Sequence, residues 1–278
     1  MDTHVVLIDC PDRKGLVHAI TGAFFRGGHN ITRNAEFVDE TREQFFMRSE
    51  ITGELDGGPL IEELKRVLPA PANVRIVPPR RKSLVVLVSS EHHCLADLLV
   101  RHAYGELNGT IRAVISNHDV LAPLAKRFDV PFEYIGNEGI SREEHEARVL
   151  AVVERHRPDY LVLAKYMRIL SEPFVARFPE RIVNIHHSFL PAFIGANPYR
   201  QAFERGVKII GATAHFVTPD LDTGPIIAQD VIPVDHTHAA ADMSEAGRDV
   251  EKIVLAKALR LVLEDRVFVT GNRTVIFD

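Results

Sequence analysis

Apolar residues follow two different regimes along the chain. In the first eighty residues they come in short blocks. Residues 4–10 (HVVLIDC) are rich in β-branched side chains and predict a strand. Leu16, Ile20, Ala23 and Phe24 then recur at helical spacing, with Asp12 ahead of them as a cap and Gly27-Gly28 as the stop. Residues 31–38 and 44–51 predict two more strands, 59–67 a second amphipathic helix, and 74–77 a short closing strand. The order is β-α-β-β-α-β, a ferredoxin-like split βαβ unit.

Pro78-Pro79-Arg80-Arg81-Lys82 interrupts this pattern with a segment that suits neither helix nor strand. We place a domain boundary there, with residues 1–79 on one side and 83–278 on the other. Beyond it the alternation lengthens. Residues 84–89 (LVVLVS) form a nearly all-apolar strand, the pattern of a parallel strand buried on both faces. Predicted helices at 92–102, 122–128, 142–157 and 172–178 alternate with strands at 111–116, 160–164 and 182–186. This argues for a doubly wound, Rossmann-like, mostly parallel sheet. Two strands at 209–217 and 226–234 are joined by a turn containing Gly224-Pro225, so the sheet ends mixed. A strong amphipathic helix at 249–263 and a strand at 274–277 finish the α/β pattern.

Composition narrows the classes without choosing among them. Hydrophobic residues make up 46% and charged residues 26% of 278, ordinary for a globular chain. No apolar run reaches the roughly 18 residues of a membrane span. The formal net charge is −5, spread over both halves, and offers no basic surface for nucleic acid. The opening residues carry no secretory pattern, and the two cysteines, Cys10 and Cys94, do not suggest a disulfide framework. A reducing cytoplasm is the expected compartment.

Chemistry is expected at the carboxyl ends of the strands. The 182–186 strand runs into Asn184-Ile185-His186-His187-Ser188-Phe189-Leu190-Pro191. Asn184 and His186 are two apart, so they share a side, and an amide beside an imidazole suits a carbonyl oxygen that gains charge. The plainer reading makes both of them polar residues satisfying backbone at a strand end. His215 through Pro225 is a strand followed by a turn with two carboxylates, Asp220 and Asp222. Either can be a turn former, and either can orient an imidazole. Sequence does not put Asp222 beside His186. Fourteen histidines raise the question of a metal, but there is no H-E-x-x-H or C-x-x-C, so no metal and no cofactor are expected. G-x-S-x-G, P-loop and G-x-G-x-x-G patterns are also missing.

Three ordered stretches carry a resemblance. Asn184-Ile185-His186 through Leu190-Pro191, the ladder Gly211–Val217, and Leu221-Asp222-x-Gly224-Pro225 together resemble the folate-dependent formyltransferase family, over about residues 83–278. Ala164-Lys165-Tyr166-Met167-Arg168-Ile169-Leu170 is similar to that family's folate-binding segment. The loop after the first long strand, Ser90–Leu95, has no glycine and carries Glu91, unlike the phosphate-holding loop of glycinamide ribonucleotide formyltransferases. The chain also stops without the RNA-binding domain of methionyl-tRNA formyltransferases. Phe193–Tyr199, Gly247-Arg248-Asp249-Val250-Glu251 and Asn272–Phe277 are similar to the water-using branch, which deformylates 10-formyltetrahydrofolate. The first 79 residues look like an ACT domain, through Asp9–Gly15 and Gly27-Gly28-His29-Asn30-Ile31.

The resemblance implies hydrolysis of 10-formyltetrahydrofolate to tetrahydrofolate and formate, supplying formate for purine synthesis. It implies Asn184, His186 and Asp222 as catalytic residues, and Met167, Arg168, Ile169, Leu170, Ser188, His215 and Thr218 around the substrate. Ile169 and Leu170 have an equally good reading as core, and Ser188 has one as a hydrogen bond to the catalytic loop in place of the substrate. His215 reads better as a supporting residue than as a catalyst, and His236 and His238 lie on a nearby loop. For the ACT unit it implies either an amino-acid effector near Asp12, Gly15, Gly28 and Asn30, or assembly of a homo-oligomer alone. Two rival functions stay open: transfer of the formyl group to an amine acceptor, and amino-acid sensing with an inactive second half.

Overall fold

In the computed structural model, which describes residues 3–55, 57–192 and 198–278, strict alternation divides strand β1 (Thr3–Pro11) between two faces. Val6, Ile8 and Cys10 point to one side, Val5 and Leu7 to the other. The elements that follow are α1 (Leu16–Arg26), β2 (Asn30–Asp39), β3 (Gln44–Thr52), α2 (Gly57–Val67) and β4 (Asn73–Val77). The strands form an antiparallel sheet in the order β2-β3-β1-β4. Leu16, Ile20 and Phe24 of α1 and Leu60 and Leu64 of α2 cover the Val6–Ile8–Cys10 face.

Helix α1 is not capped by Asp12, as its position had suggested. Gly15 is the N-cap, left-handed at φ 86° with no side-chain bond, and the Asp12 backbone N–H instead donates to the Glu43 carbonyl at 2.7 Å. A glycine meets no steric penalty in that conformation, which a side chain rarely adopts.

The second unit continues with β5 (Lys82–Val88), α3 (His93–Ala103), β6 (Gly109–Ser116), α4 (Ala122–Lys126), β7 (Phe132–Tyr134), α5 (Arg142–His156), β8 (Tyr160–Leu163), α6 (Glu172–Ala176) and β9 (Ile182–His186). Then come α7 (Pro198–Arg205), β10 (Ile209–Phe216), β11 (Ile226–Pro233) and α8 (Ala240–Leu263). The sheet order is β11-β10-β9-β8-β5-β6-β7. Strands β5 to β9 pair in parallel, while β10 and β11 are antiparallel, the mixed ending the turn at Gly224-Pro225 had indicated. All seven residues of β5 are buried, as a central strand covered on both faces requires. The chain winds outward from β5 through β6 and β7, then returns to its other side at β8. The β5/β8 boundary is therefore the topological switch point, where α/β sheets open a crevice.

Three elements lay outside the sequence expectation, and one began elsewhere. Strand β7 has three residues and sits at the sheet edge. Helix α7 has a short, polar sequence, PYRQAFER. Helix α8 starts at Ala240 rather than at 249, because the Asp242 carboxylate accepts the Ala239 backbone N–H at 2.8 Å and starts the helix before its apolar stripe becomes dense. The chain ends in a two-stranded ribbon, β12 (Val267–Thr270), which was not foreseen, and β13 (Arg273–Ile276).

That ribbon also changes the division of the chain. The first unit runs to Arg80 and takes in Asp265–Phe268 and Val275–Asp278; the second is Arg81–Glu264 with Val269–Thr274. Assigning all of 83–278 to one domain therefore misplaces these two pieces. The reason is apolar cover. Phe268 and Phe277 close the helix-free face of the first sheet over Leu7 and Phe46, with Phe46 and Phe268 edge to face at 5.6 Å.

Candidate active site

Cross-strand register builds the site. Strands β9 and β10 pair so that Asn184 lies opposite His215 and His186 opposite Thr213. With a side-chain period of two, Asn184, His186 and His215 share one face of the sheet. The Asn184 amide meets His215 directly, Nδ2 to Nε2 at 3.1 Å. His215 Nδ1 lies 2.9 Å from the Phe216 carbonyl, which only accepts, so Nδ1 carries a proton. In the neutral ring, Nε2 then accepts from Asn184, and the second N–H of that amide is left for another acceptor.

Asp222 completes the group from the loop after β10. One carboxylate oxygen is 3.2 Å from His186 Nδ1, the other 3.6 Å from His215 Nε2. The side chain is 8% exposed. Burial alone would raise its pKa. The hydrogen bond from His186 and the nearness of both rings outweigh burial and hold the carboxyl well below its ordinary range. The chain reaches this position by two backbone devices. Asp222 itself is left-handed at φ 56°, and a Cβ at Gly224 would collide with the Phe216 carbonyl oxygen. Asp220 has a different part: its carbonyl accepts the hydroxyls of Thr218 and Thr223, both at 3.1 Å, within the turn.

These residues line a cavity of about 290 Å³. Its other wall is the segment after β8, from Lys165 to Leu170. Ser89, at the end of β5, fixes that segment across the switch point: its N–H donates to the Lys165 carbonyl at 3.2 Å and its Oγ accepts the Met167 N–H at 3.0 Å. Met167 and Ile169 are 62% and 58% exposed, so Ile169 is not core. Leu170 is 8% exposed and belongs both to the cavity wall and to the core beside Phe174 and Phe178. Arg168, Thr218 and His215 also face the cavity. His186 Nε2 is buried with no hydrogen-bond partner among the described residues. With Nδ1 held by Asp222, it is the atom this ring offers to a bound molecule.

Some expected residues stand elsewhere. Ser188 does not line this cavity; its hydroxyl donates to the Ala192 carbonyl at 2.6 Å, and its own carbonyl accepts from Thr213. Of its two expected partners, the loop and the substrate, the hydroxyl takes the loop. His238 lies outside the cavity, 2.9 Å from Asp235, and His236 does not line it either. The stretch Phe193–Asn197 falls outside the described residues. Asp12 and Gly15 sit at the start of α1 and Gly28 and Asn30 at its end, about 16 Å apart at 1.5 Å per residue, so one copy does not gather them into one site.

One buried group was named only as part of a phrase. Glu251, on α8, is 1% exposed and receives Tyr199 Oη at 2.7 Å, His93 Nε2 at 2.7 Å and Lys165 Nζ at 3.3 Å. Burial would raise its pKa, but these donors and the Lys165 charge bring it down to about 2. The signal was present: a lone carboxylate on the stripe otherwise made by Val250, Val254 and Leu255. His93, Cys94 and Glu251 bring their ligand atoms within 4.8 Å of one another. They fit a metal poorly. The Lys165 ammonium opposes a cation there, and burial and the Glu251 charge push the Cys94 thiol far up, away from the thiolate a metal needs.

Comparison with known proteins gives the family. Residues 82–259 match the formyl transferase family and residues 4–69 the ACT domain. The formyltetrahydrofolate deformylase of Escherichia coli O6:H1 is 55% identical over 96% of this chain and 95% of its own length. The chain belongs to the formyltetrahydrofolate deformylases. The crystal structure of such a deformylase from Pseudomonas syringae pv. tomato superimposes with a TM-score of 0.95 at 42% identity, covering 100% of this chain and 95% of that one. Glycinamide ribonucleotide transformylase 1 from Symbiobacterium toebii shares 34% identity and a TM-score of 0.69 over 71% of this chain and 95% of its own. The ACT and formyltransferase architecture expected from the motifs is therefore the family's own. No helix among the described residues is long and apolar enough to cross a membrane.

Proposed function

We infer that the chain hydrolyses 10-formyltetrahydrofolate to tetrahydrofolate and formate. The observation that carries this is the convergence of Asn184, His186 and Asp222 on one cavity in a chain of the deformylase family. A formamide carbonyl is a weak electrophile and water a weak nucleophile. The site must stabilise an oxyanion and move a proton twice.

The free N–H of Asn184 donates to the formyl oxygen, and His186 Nε2 provides the second contact there. Asp222 fixes the His186 ring through Nδ1 and stabilises positive charge on it. Water adds to the formyl carbon, and the Asp222 carboxylate takes one of its protons while His186 keeps its Nε2–H on the oxyanion. The tetrahedral intermediate collapses with cleavage of the C–N10 bond. N10 receives that proton from Asp222, tetrahydrofolate leaves, and the formic acid gives its remaining proton to solvent. Every step is served by side chains, so the reading calls for no metal and no cofactor.

The flat pterin fits the apolar wall of Met167, Ile169 and Leu170, with Arg168 and Thr218 as its polar partners. The ACT unit fits an amino-acid effector. Because Asp12 and Gly15 lie at the opposite end of α1 from Gly28 and Asn30, a site that uses all four draws them from two copies in a homo-oligomer. A cytoplasmic enzyme feeding formate to purine synthesis completes the reading.

The test is formate and tetrahydrofolate release from purified protein given 10-formyltetrahydrofolate alone, with no amine and no added metal, beside Asp222→Asn. Equal amounts of both products from the wild type, and almost none from the variant, are expected. Release that requires an added amine, or survives in Asp222→Asn, would overturn the reading or that residue's part in it.

A further inference from the structure

A second cavity of about 310 Å³ adjoins the first. The two share Lys165, Met167 and His187 in their walls. With the folate seated against residues 167–170, this second cavity is, among the described residues, an approach to the formyl carbon for a nucleophile larger than water. Its lining includes two carboxylates, Glu91 and Glu251, and three cations, Lys165, Arg200 and Arg248. Both carboxylates are already engaged. Arg248 meets Glu91 at 3.4 Å, and Glu251 holds Tyr199, His93 and Lys165. The cations are paired as well, Arg200 with Glu204 at 2.9 Å, so an amine entering as its ammonium form finds every carboxylate of this lining already taken by a cation of the chain.

The arrangement is built into the backbone. A Cβ at Gly247 would collide with the Tyr199 ring, so α8 is bare where that ring must lie to reach Glu251. Lys165 is left-handed at φ 64°, a conformation a lysine keeps only when its surroundings demand it. The Ser89 N–H on its carbonyl is one such demand. The stretches Phe193–Tyr199 and Gly247–Glu251, separate in sequence, supply Tyr199 and Glu251 to this one wall.

We propose that the Lys165–Glu251–Tyr199–His93 cluster sets acceptor specificity: it fastens Lys165 as a charged wall between the two cavities, excludes amines from the formyl carbon, and leaves water as the acceptor. The proposal rests on the hydrolytic reading above. Lys165 acts here as a positioning and excluding residue and takes no part in bond making.

The test is competition within one reaction. The full chain receives 10-formyltetrahydrofolate and excess glycinamide, and formate and N-formylglycinamide are quantified together. The wild type is expected to give formate with little formylglycinamide. Lys165→Met should raise the ratio of formylglycinamide to formate by about tenfold or more, the least that removing a like-charge clash should yield. Tyr199→Phe should give a smaller rise in the same direction. Because both products come from the same folded molecules, partial unfolding lowers both and leaves their ratio unchanged. The double variant Lys165→Met/Glu251→Gln, which buries no unpaired charge, should show the rise as well. An unchanged ratio in Lys165→Met and in the double variant, or ready formylation of glycinamide by the wild type, would overturn the proposal. Failure of the wild type to release formate without glycinamide would instead overturn the hydrolytic reading beneath it.

Discussion

Glu251→Gln is the most telling single change to stability. It keeps the shape of the side chain and removes a charge that is 1% exposed, facing a Lys165 side chain that is 9% exposed. Removing one partner of a buried ion pair costs about 3–5 kcal/mol, because the other charge is left dry and unpaired. The pH linkage gives a similar size. The Glu251 pKa falls from an unfolded value of 4.5 to about 2, which corresponds to roughly 3 kcal/mol. A folded pKa below the unfolded one means that the stabilisation is complete above pH 4.5 and is lost as pH falls from there toward 2. Urea unfolding at neutral pH should therefore place the variant about 3–5 kcal/mol below the wild type, or about 6–20 °C lower in Tm for a unit of this size. The gap should narrow once pH drops below 4.5. Adding Lys165→Met should recover part of the loss, since the second charge is then gone too. A neutral-pH difference under about 1 kcal/mol, a gap that does not depend on pH, or a double variant worse than the two single losses added would refute the account.

Four further outcomes follow from the same geometry. Asn184→Ala and Asp222→Asn should each lower kcat for formate release by about 10²–10³ while leaving the circular dichroism spectrum unchanged. The His187 pKa is lowered from 6.5 to about 4, chiefly by burial and then by Lys165 and His186, so the unfolded chain binds the proton first. Stability should fall as pH drops from 6.5 toward 4, by up to about 3 kcal/mol more in the wild type than in His187→Asn, read by thermal melts across that window. Gly247→Ala should cost about 1–3 kcal/mol in urea unfolding, because the new methyl group displaces Tyr199 from Glu251. Ser188→Ala should cost about 1 kcal/mol in stability through its lost bond to Ala192 and leave KM for the folate nearly unchanged, since its hydroxyl faces away from the cavity.

How much of this could be read in advance depended on whether a feature is local. The sheet of the second unit announces itself because β5 is apolar at every position and period-two spacing puts Asn184 and His186 on one side. At Ser188 the sequence left two partners open, the loop and the substrate, and only the fold shows the hydroxyl on the loop's Ala192 carbonyl. Asp220 and Asp222 look alike in sequence, two turn carboxylates near a Gly-Pro. What separates them is a backbone path, with φ 56° at Asp222 and close passage of Gly224 under the Phe216 carbonyl, and it delivers Asp222 to His186 while leaving Asp220 in the turn. The ribbon at Phe268 and Phe277 went to the wrong domain because its apolar residues report burial without saying against what. Lys165 had no local signal at all, since its burial depends on Glu251 eighty-six residues later and Glu251 depends on Tyr199 across a bare glycine. The carboxylate on the apolar stripe of α8 was the one visible trace of that network. A buried acid on an amphipathic helix must be paired by something, so it marks where a distant cation has to arrive before the fold shows it.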